Sequence, residues 1–281
     1  MRRLLRLPHP TFFVSLILML GLMAPPAKAA ERMELEAFLK VTGFDVALES
    51  IRLSADSAPA MLGIEADDFG SEWQRLVREV FATDLMHKMA VDILAETLSD
   101  DLLAHGAEFY ASDLGQRLVA VENKSHMVEE DGLKSETGAE ILAALTRIGS
   151  DRPAILKRLN DASNTEETSV RAIQEVQVRF MMAAAAAGVI ELRMDEPDLR
   201  AALRSQEDEM RASIAKNALE GAAYTYQAFS DSEVTEYAKA LEHPKMRDVY
   251  ALMNAVQFEI MANRYEAVAL RLSRMQPSQD L

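Results

Sequence analysis

The chain has 281 residues, a formal charge of -15 at pH 7 and no cysteine. The acidic excess argues against binding of nucleic acid or of an anionic membrane surface, since both need a basic contact patch. The absence of cysteine excludes disulfide bonds, a thiol nucleophile and the lipid-attachment cysteine of bacterial lipoproteins. A chain of this length can bury a sizeable hydrophobic core, and that core has to hold the fold alone.

The first 29 residues have the pattern of a secretory signal peptide. Arg2, Arg3 and Arg6 precede an apolar stretch over residues 12–23, and a small-x-small cleavage site follows at residues 27–29. The apolar stretch is shorter than the roughly 20 residues that a membrane-spanning helix needs, so a cleaved leader is favoured over an uncleaved anchor. We therefore expect export to a bacterial periplasm and no stable membrane anchor after cleavage.

The remaining sequence predicts helices throughout. Glycine and proline are sparse, the good helix formers Ala, Leu, Glu, Arg and Met are plentiful, and period-two alternation typical of strands is rare. The expected fold class is all-α, a multi-helix array or bundle of helical hairpins. In chain order, helices are expected over residues 34–39, 44–58, from a cap at Asp67 or Asp68 to 81, 85–98, 99–110, 112–121, 141–149, 153–160, 164–192, 195–211 and from 244 onward.

Two segments interrupt this helical pattern. Residues 129–138 are polar and contain Gly132, which is typical of a loop or of the frayed part of a helix. Residues 160–165 are the most linker-like segment of the chain. We therefore expect an N-terminal helical half over residues 30–160 and a C-terminal half over residues 161–281.

The first half contains a helical hairpin whose corner is marked by capping residues. Ser99 can cap the helix that ends at Phe109 and Tyr110, and Ser112 stands where the next helix begins. Gly115 lies in the first turn of that second helix. Phe109 and Tyr110 are expected to anchor the hairpin in the core, with Tyr110 lining a cleft as the alternative.

The second half contains a similar hairpin. Ser230 and Glu233 form a capping-box pattern, and Phe229 can pack on Val234 as a hydrophobic staple. Pro244 fits the first position of the following helix, where a missing N–H removes no hydrogen bond. Whether the two hairpins are degenerate copies of one repeat stays open.

These residues resemble the DUF2059 domain, an uncharacterised helical domain of exported bacterial proteins with the pattern Phe-Ser/Thr, two residues, Glu, then Phe-Tyr-x-Ser-Pro-x-Gly. The first hairpin departs from it with Leu102 for Glu and Asp113 for Pro, and the second lacks the Phe-Tyr pair and the glycine. The resemblance covers mainly the two hairpins. It implies an all-α fold and export, and it implies no activity.

Motifs of known chemistry are absent from the sequence. It has no glycine-rich phosphate loop, no GxSxG elbow and no HExxH helix. His105 with Glu108, and Asp84 with His87, have helical spacing for a shared metal, but neither pair matches the Glu-x-x-His motif of di-metal bundles. We predict no catalytic, cofactor-binding or metal-ligating residue.

Methionine is abundant, with 16 residues in the chain. The spacing of residues such as Met86, Met181 and Met253 is that of a helix core, which is favoured over a thioether copper site. The sequence as a whole favours a non-enzymatic binding or protein-interaction module with an unknown partner. The alternatives are a carrier of an apolar or lipid-like ligand in a groove between the halves and, less favoured, a metal-dependent enzyme.

Overall fold

The computed structural model describes residues 27–64, 71–128, 131–163 and 165–275, so the predicted signal peptide lies outside the described residues except for positions 27–29. Every regular element in this part of the chain is a helix, which confirms the predicted all-α fold class. The helices are α1 Ala27–Thr42, α2 Phe44–Ser50, α3 Ala58–Met61, α4 Ser71–Val80, α5 Thr83–Thr97, α6 Asp100–Tyr110, α7 Asp113–His126, α8 Asp131–Arg147, α9 Arg152–Ala162, α10 Thr165–Ala186, α11 Glu196–Arg204, α12 Glu207–Thr225, α13 Asp231–Leu241 and α14 Pro244–Leu272. A 3₁₀ helix over Ile51–Ser57 joins α2 to α3.

The long helix α14 is the central element of the core. Its buried side chains recur at intervals of three and four residues, which places them on one face: Met246, Val249, Met253, Val256 and Ile260. Helix α14 packs most extensively on α10 and also on α4, α5, α6 and α13. It therefore connects helices from both sides of the predicted boundary.

The boundary expected at residue 160 lies inside α9. Buried side chains from both sides of it, from Leu35 to Leu272, belong to one hydrophobic cluster. Packing across the boundary does not bear on whether the halves are related as repeats, so the division into 30–160 and 161–281 stays a prediction.

Local capping chemistry fixes where the hairpin helices begin. The Leu102 N–H donates to Ser99 Oγ at 3.4 Å, and the Gly115 N–H donates to Ser112 Oγ at 3.0 Å. At α13 the capping box is complete, since the Glu233 N–H donates to Ser230 Oγ at 3.3 Å and the Ser230 N–H donates to Glu233 Oε2 at 2.8 Å. These bonds satisfy backbone donors that a helix start leaves without an intrahelical partner.

Gly115 lets the corner between α6 and α7 close tightly. A Cβ at this position would stand 2.6 Å from Tyr110 Cα and would also overlap the carbonyl oxygen of Phe109. Both obstacles are backbone atoms, which cannot turn away as a flexible side chain can. The glycine of the hairpin pattern is thus required by the close approach of the two helix backbones.

The structure resolves the ambiguous segment at 129–138 in favour of helix for its described part, since α8 begins at Asp131. The reason is tertiary: the backbone of Gly138 lies against the backbone of Glu220, so that α8 and α12 pack closely. Residues 129–130 lie outside the described part of the chain.

The prediction of a single helix over residues 195–211 is wrong. Helix α11 ends at Arg204, and α12 begins at Glu207. The Ser205 hydroxyl donates to the Ala202 carbonyl at 2.6 Å. The Gln206 N–H donates to the Leu203 carbonyl at 3.1 Å, three residues back, as in a 3₁₀ turn. Serine competes with the backbone for these carbonyls in this way and so favours a break.

The helix expected over residues 164–192 is too long. Helix α10 ends at Ala186, and Gly188 follows with a φ of 74°. That left-handed conformation is typical of a glycine that terminates a helix.

We expect Gly115→Ala to lower the free energy of unfolding by about 2 kcal/mol or more, because the added methyl has to push two backbones apart. The matched control is Gly132→Ala in the first turn of α8, where a Cβ would meet no atom within 4 Å. That variant should be as stable as the wild type or slightly more so, since alanine is the better helix former. Urea denaturation measures both values, and equal stability of the two variants would contradict the tight-corner explanation.

Candidate functional site

A cavity of about 440 Å³ lies where helices from both ends of the chain converge. Its wall is formed by the start of α2, by α7 and by α9, α12, α13 and α14, with Tyr110 at the end of α6. The wall combines polar and apolar side chains, among them Tyr110, Glu122, Leu159, Tyr226, Tyr237, Leu241, Tyr250, Met253, Asn254 and Phe258. A volume of this size falls in the range of small-molecule sites in proteins.

Three tyrosine hydroxyls form a closed hydrogen-bonded group in one wall of the cavity. The oxygens of Tyr110 and Tyr250 are 2.5 Å apart, those of Tyr237 and Tyr250 2.7 Å, and those of Tyr110 and Tyr237 3.1 Å. Desolvation by burial is the largest cause that raises the pKa of all three phenols above the usual value. They therefore stay protonated at physiological pH and serve as hydrogen-bonding groups rather than as bases.

Glu122 on α7 extends this polar group. The Tyr226 hydroxyl donates to Glu122 Oε1 at 2.6 Å. Desolvation by burial raises the pKa of the Glu122 carboxyl, while hydrogen bonds from Tyr226 and Tyr237 act in the opposite direction. The hydrogen-bonding partners that shift this pKa are phenols and not cations, so no lysine or arginine among the described residues supplies a counter-charge to this carboxylate.

Several amide side chains of the cavity wall have unused hydrogen-bonding capacity. Within the described part of the chain, the side chains of Asn123, Asn254 and Gln257 line the cavity and hydrogen-bond to no other protein group. An amide side chain can both donate and accept. These groups are thus available to a molecule inside the cavity.

A buried arginine holds the wall that carries Tyr226. Arg152 is only 7% exposed, and its Nη2 donates to the Tyr226 carbonyl at 2.6 Å. Its Nη1 donates to Asp231 Oδ1 at 2.8 Å. One side chain of α9 therefore fixes the end of α12 and the start of α13, which together position Tyr226 and Tyr237.

The two predicted hairpins meet directly beside the cavity. The Phe109 ring stacks on Tyr237 with centroids 5.7 Å apart, and Arg117 pairs with Glu233 at 2.7 Å. The guanidinium of Arg117 also lies over the ring of Phe229, 5.4 Å from its centroid. Both segments that share the capping pattern thus contribute to one interface.

Most residues singled out from the sequence shape the hairpins and do not contact the cavity. Ser99, Ser112 and Ser230 cap helices, Gly115 closes a corner, and Pro244 is the first residue of α14. From the sequence, Tyr110 is expected either to anchor the hairpin in the core or to line a cleft. Its side chain does both, since it is buried in the core and lines the cavity.

Sequence analysis did not identify the remaining polar residues of the site. Among them are Glu122, Tyr226, Tyr237 and Tyr250, which lie on or directly after four different helices. Their individual positions in the sequence match no motif, so a local signal was not available.

The two pairs with the helical spacing for a shared metal, His105 with Glu108 and Asp84 with His87, do not belong to a larger set of metal-ligating side chains among the described residues. His105 stacks on His243 with ring centroids 4.4 Å apart, and His87 Nε2 contacts the Asp45 carbonyl oxygen at 3.0 Å. Among the described residues, no group of three or more His, Cys, Asp or Glu side chains could hold a metal ion. In that same part of the chain, no helix combines the length and apolar character required to cross a membrane.

We expect Glu122→Gln to alter the pH dependence of stability. Because burial raises the pKa of this carboxyl, the folded protein binds its proton more tightly than the unfolded chain does. Ionisation as the pH rises above the usual glutamate value of about 4.3 therefore costs the folded state more than the unfolded one. The wild type should lose stability relative to Glu122→Gln as the pH rises from the usual glutamate value through the raised pKa of the folded state.

Chemical denaturation at several pH values measures this difference. The matched control is Glu140→Gln on α8, where the side chain is exposed. A difference between wild type and Glu122→Gln that does not grow with pH would contradict the role assigned to burial.

Residues 84–144 match the model of the family DUF2059, described as an uncharacterized protein conserved in bacteria. No curated protein and no solved structure matches the chain. The matched segment runs from α5 into α8 and contains Tyr110, Glu122 and the tight corner at Gly115. The resemblance found in the sequence is thus confirmed: residues 84–144 of this chain carry the DUF2059 pattern.

Proposed function

We propose that this protein is an exported, non-catalytic binding protein that holds a small amphipathic molecule in the cavity between its helices. The observation that carries the proposal is the cavity of about 440 Å³, whose wall combines apolar side chains with unpaired amides and a carboxylate. Ligand sites in proteins have this composition, since apolar groups supply affinity and a few polar groups fix orientation.

The polar groups of the site favour binding over catalysis. The three clustered phenols are held protonated, and the single carboxylate has phenols as its neighbours. General acid–base catalysis pairs groups of different role whose pKa values lie near the working pH, and the phenols around Glu122 have pKa values far above it. Phenols with raised pKa values act instead as donors and acceptors for a bound molecule.

The mixture of polar and apolar side chains in the wall also narrows the chemical class of the ligand. A purely apolar guest would leave the amides of Asn123, Asn254 and Gln257 without partners inside the cavity. Buried polar groups without hydrogen bonds carry a free-energy penalty. A molecule with one polar head and a short apolar part therefore fits this wall better than a wholly apolar one.

Cavity binding is tested by filling the space. Ala218 on α12 lines the cavity, whereas Ala212 on the same helix is exposed and does not. Calorimetric titration with 1-octanol, a neutral amphiphile, should show saturable binding to the wild type and to Ala212→Phe. Ala218→Phe should bind at least tenfold more weakly, because the ring occupies volume that the probe needs; tenfold corresponds to about 1.4 kcal/mol.

Circular dichroism has to show that both phenylalanine variants keep the helical fold. Wild-type binding that Ala218→Phe leaves unchanged would place the probe elsewhere and overturn the proposal. The absence of saturable 1-octanol binding to the wild type would overturn it as well.

The proposed location rests on the leader pattern of residues 1–29. Expression of the full chain in a bacterium, followed by cell fractionation, should yield a shortened protein in the periplasmic extract. Amino-terminal sequencing should place the new end near residue 30. Retention of the whole chain in the cytosol would contradict export and would leave the cavity test unaffected.

A further inference from the structure

The cavity has an unbalanced set of charges. Glu122 is an ionisable carboxyl in its wall, and His126 lies at its exposed rim. No lysine or arginine of the described residues lines the cavity. A bound anion would therefore stand near a carboxylate without a compensating cation, whereas a bound cation would supply the counter-charge that Glu122 lacks.

Aromatic rings surround the position of this carboxylate. The Tyr226 hydroxyl donates to Glu122 Oε1 at 2.6 Å, and the ring of Tyr237 lies next to that of Tyr226, with centroids 6.1 Å apart at an angle of 70°. Tyr250 and Tyr110 line the same space. Phenol oxygens accept hydrogen bonds from an ammonium group, and aromatic faces attract cations through the ring quadrupole.

The charge of the whole chain acts in the same direction. The formal charge of -15 produces a negative field that raises the local concentration of cations and lowers that of anions. This long-range effect and the local charge of the cavity favour the same class of ligand.

We propose that the cavity selects an organic cation, a protonated amine with a short apolar group, over neutral and anionic molecules of the same shape. This inference rests on the proposed binding function and names the chemical class of its ligand. Glu122 pairs with the ammonium group, and the tyrosines and free amides accept its remaining hydrogen bonds. The apolar group lies against side chains such as Leu159, Met253 and Phe258.

A metal ion suits this site less well than an amine does. Hard cations such as Ca²⁺ are held by six to eight oxygen ligands, usually with several carboxylates among them. The cavity offers one carboxylate, and its wall is half apolar. An ammonium group needs only one counter-charge and a few acceptors.

The test uses three probes with the same eight-carbon chain and different heads: octylammonium, 1-octanol and octanoate. Calorimetric titration at pH 7 and constant ionic strength should show that the wild type binds octylammonium at least tenfold more tightly than 1-octanol. Octanoate should bind most weakly of the three. Glu122→Gln should lose the preference for the ammonium head and still bind 1-octanol, while Glu140→Gln on the exposed face of α8 should behave as the wild type.

The wild type alone provides a second measurement. Octylammonium stays protonated below pH 7, so lowering the pH changes the protein and not the probe. Protonation of Glu122 should reduce the preference for octylammonium over 1-octanol as the pH falls. His126 at the rim and the four tyrosines are the other titratable groups of the wall; the tyrosines stay neutral throughout, and the same pH series on Glu122→Gln isolates the contribution of His126.

The outcomes separate this inference from the proposed function. Binding of 1-octanol that Ala218→Phe weakens, without any preference for octylammonium, would overturn the amine selectivity and leave cavity binding in place. A preference that survives in Glu122→Gln would assign it to the overall charge and overturn the role of Glu122. A lack of 1-octanol binding to the wild type would instead overturn the binding function itself.

Discussion

The group of three tyrosine hydroxyls is the constraint on which the interior of this protein depends. Tyr110, Tyr237 and Tyr250 come from α6, α13 and α14, and each hydroxyl lies within 3.1 Å of the other two. A buried hydroxyl without a partner costs about 1–3 kcal/mol, so the three have to face one another. That requirement fixes the rotation of three helices about their own axes, which apolar packing alone specifies only loosely.

The surrounding elements hold this group in place from outside. The close backbone approach at Gly115 sets the angle between α6, which carries Tyr110, and α7, which carries Glu122. Arg152 in turn holds the end of α12 against the start of α13. Because both walls are fixed by polar contacts and by a steric limit, the helices do not collapse onto the space between them.

Glu122 illustrates how a binding site and a stable core make opposing demands. Burial raises the pKa of its carboxyl, which means that the ionised form is less favourable in the folded protein than in the unfolded chain. A core built for stability alone would place an apolar side chain there. A ligand that binds only the folded state and neutralises this charge would return the lost stability, so folding and binding become linked.

The sequence by itself determined the helical class and the starts of the hairpin helices, but it did not determine the site. Ser99, Ser112 and Ser230 cap helices as predicted, because capping involves groups within one turn of the chain. The break at Ser205 and the helical conformation of residues 131–138 depended on competing local bonds and on packing, and sequence analysis missed the first and left the second open. Only the tertiary structure brought Glu122 to Tyr226, 104 positions away, and Tyr110 to Tyr250, 140 positions away. Those contacts follow from how α6, α7, α12 and α14 pack around one another. A pattern of apolar residues repeated every three or four positions carries no information about which helix face meets which.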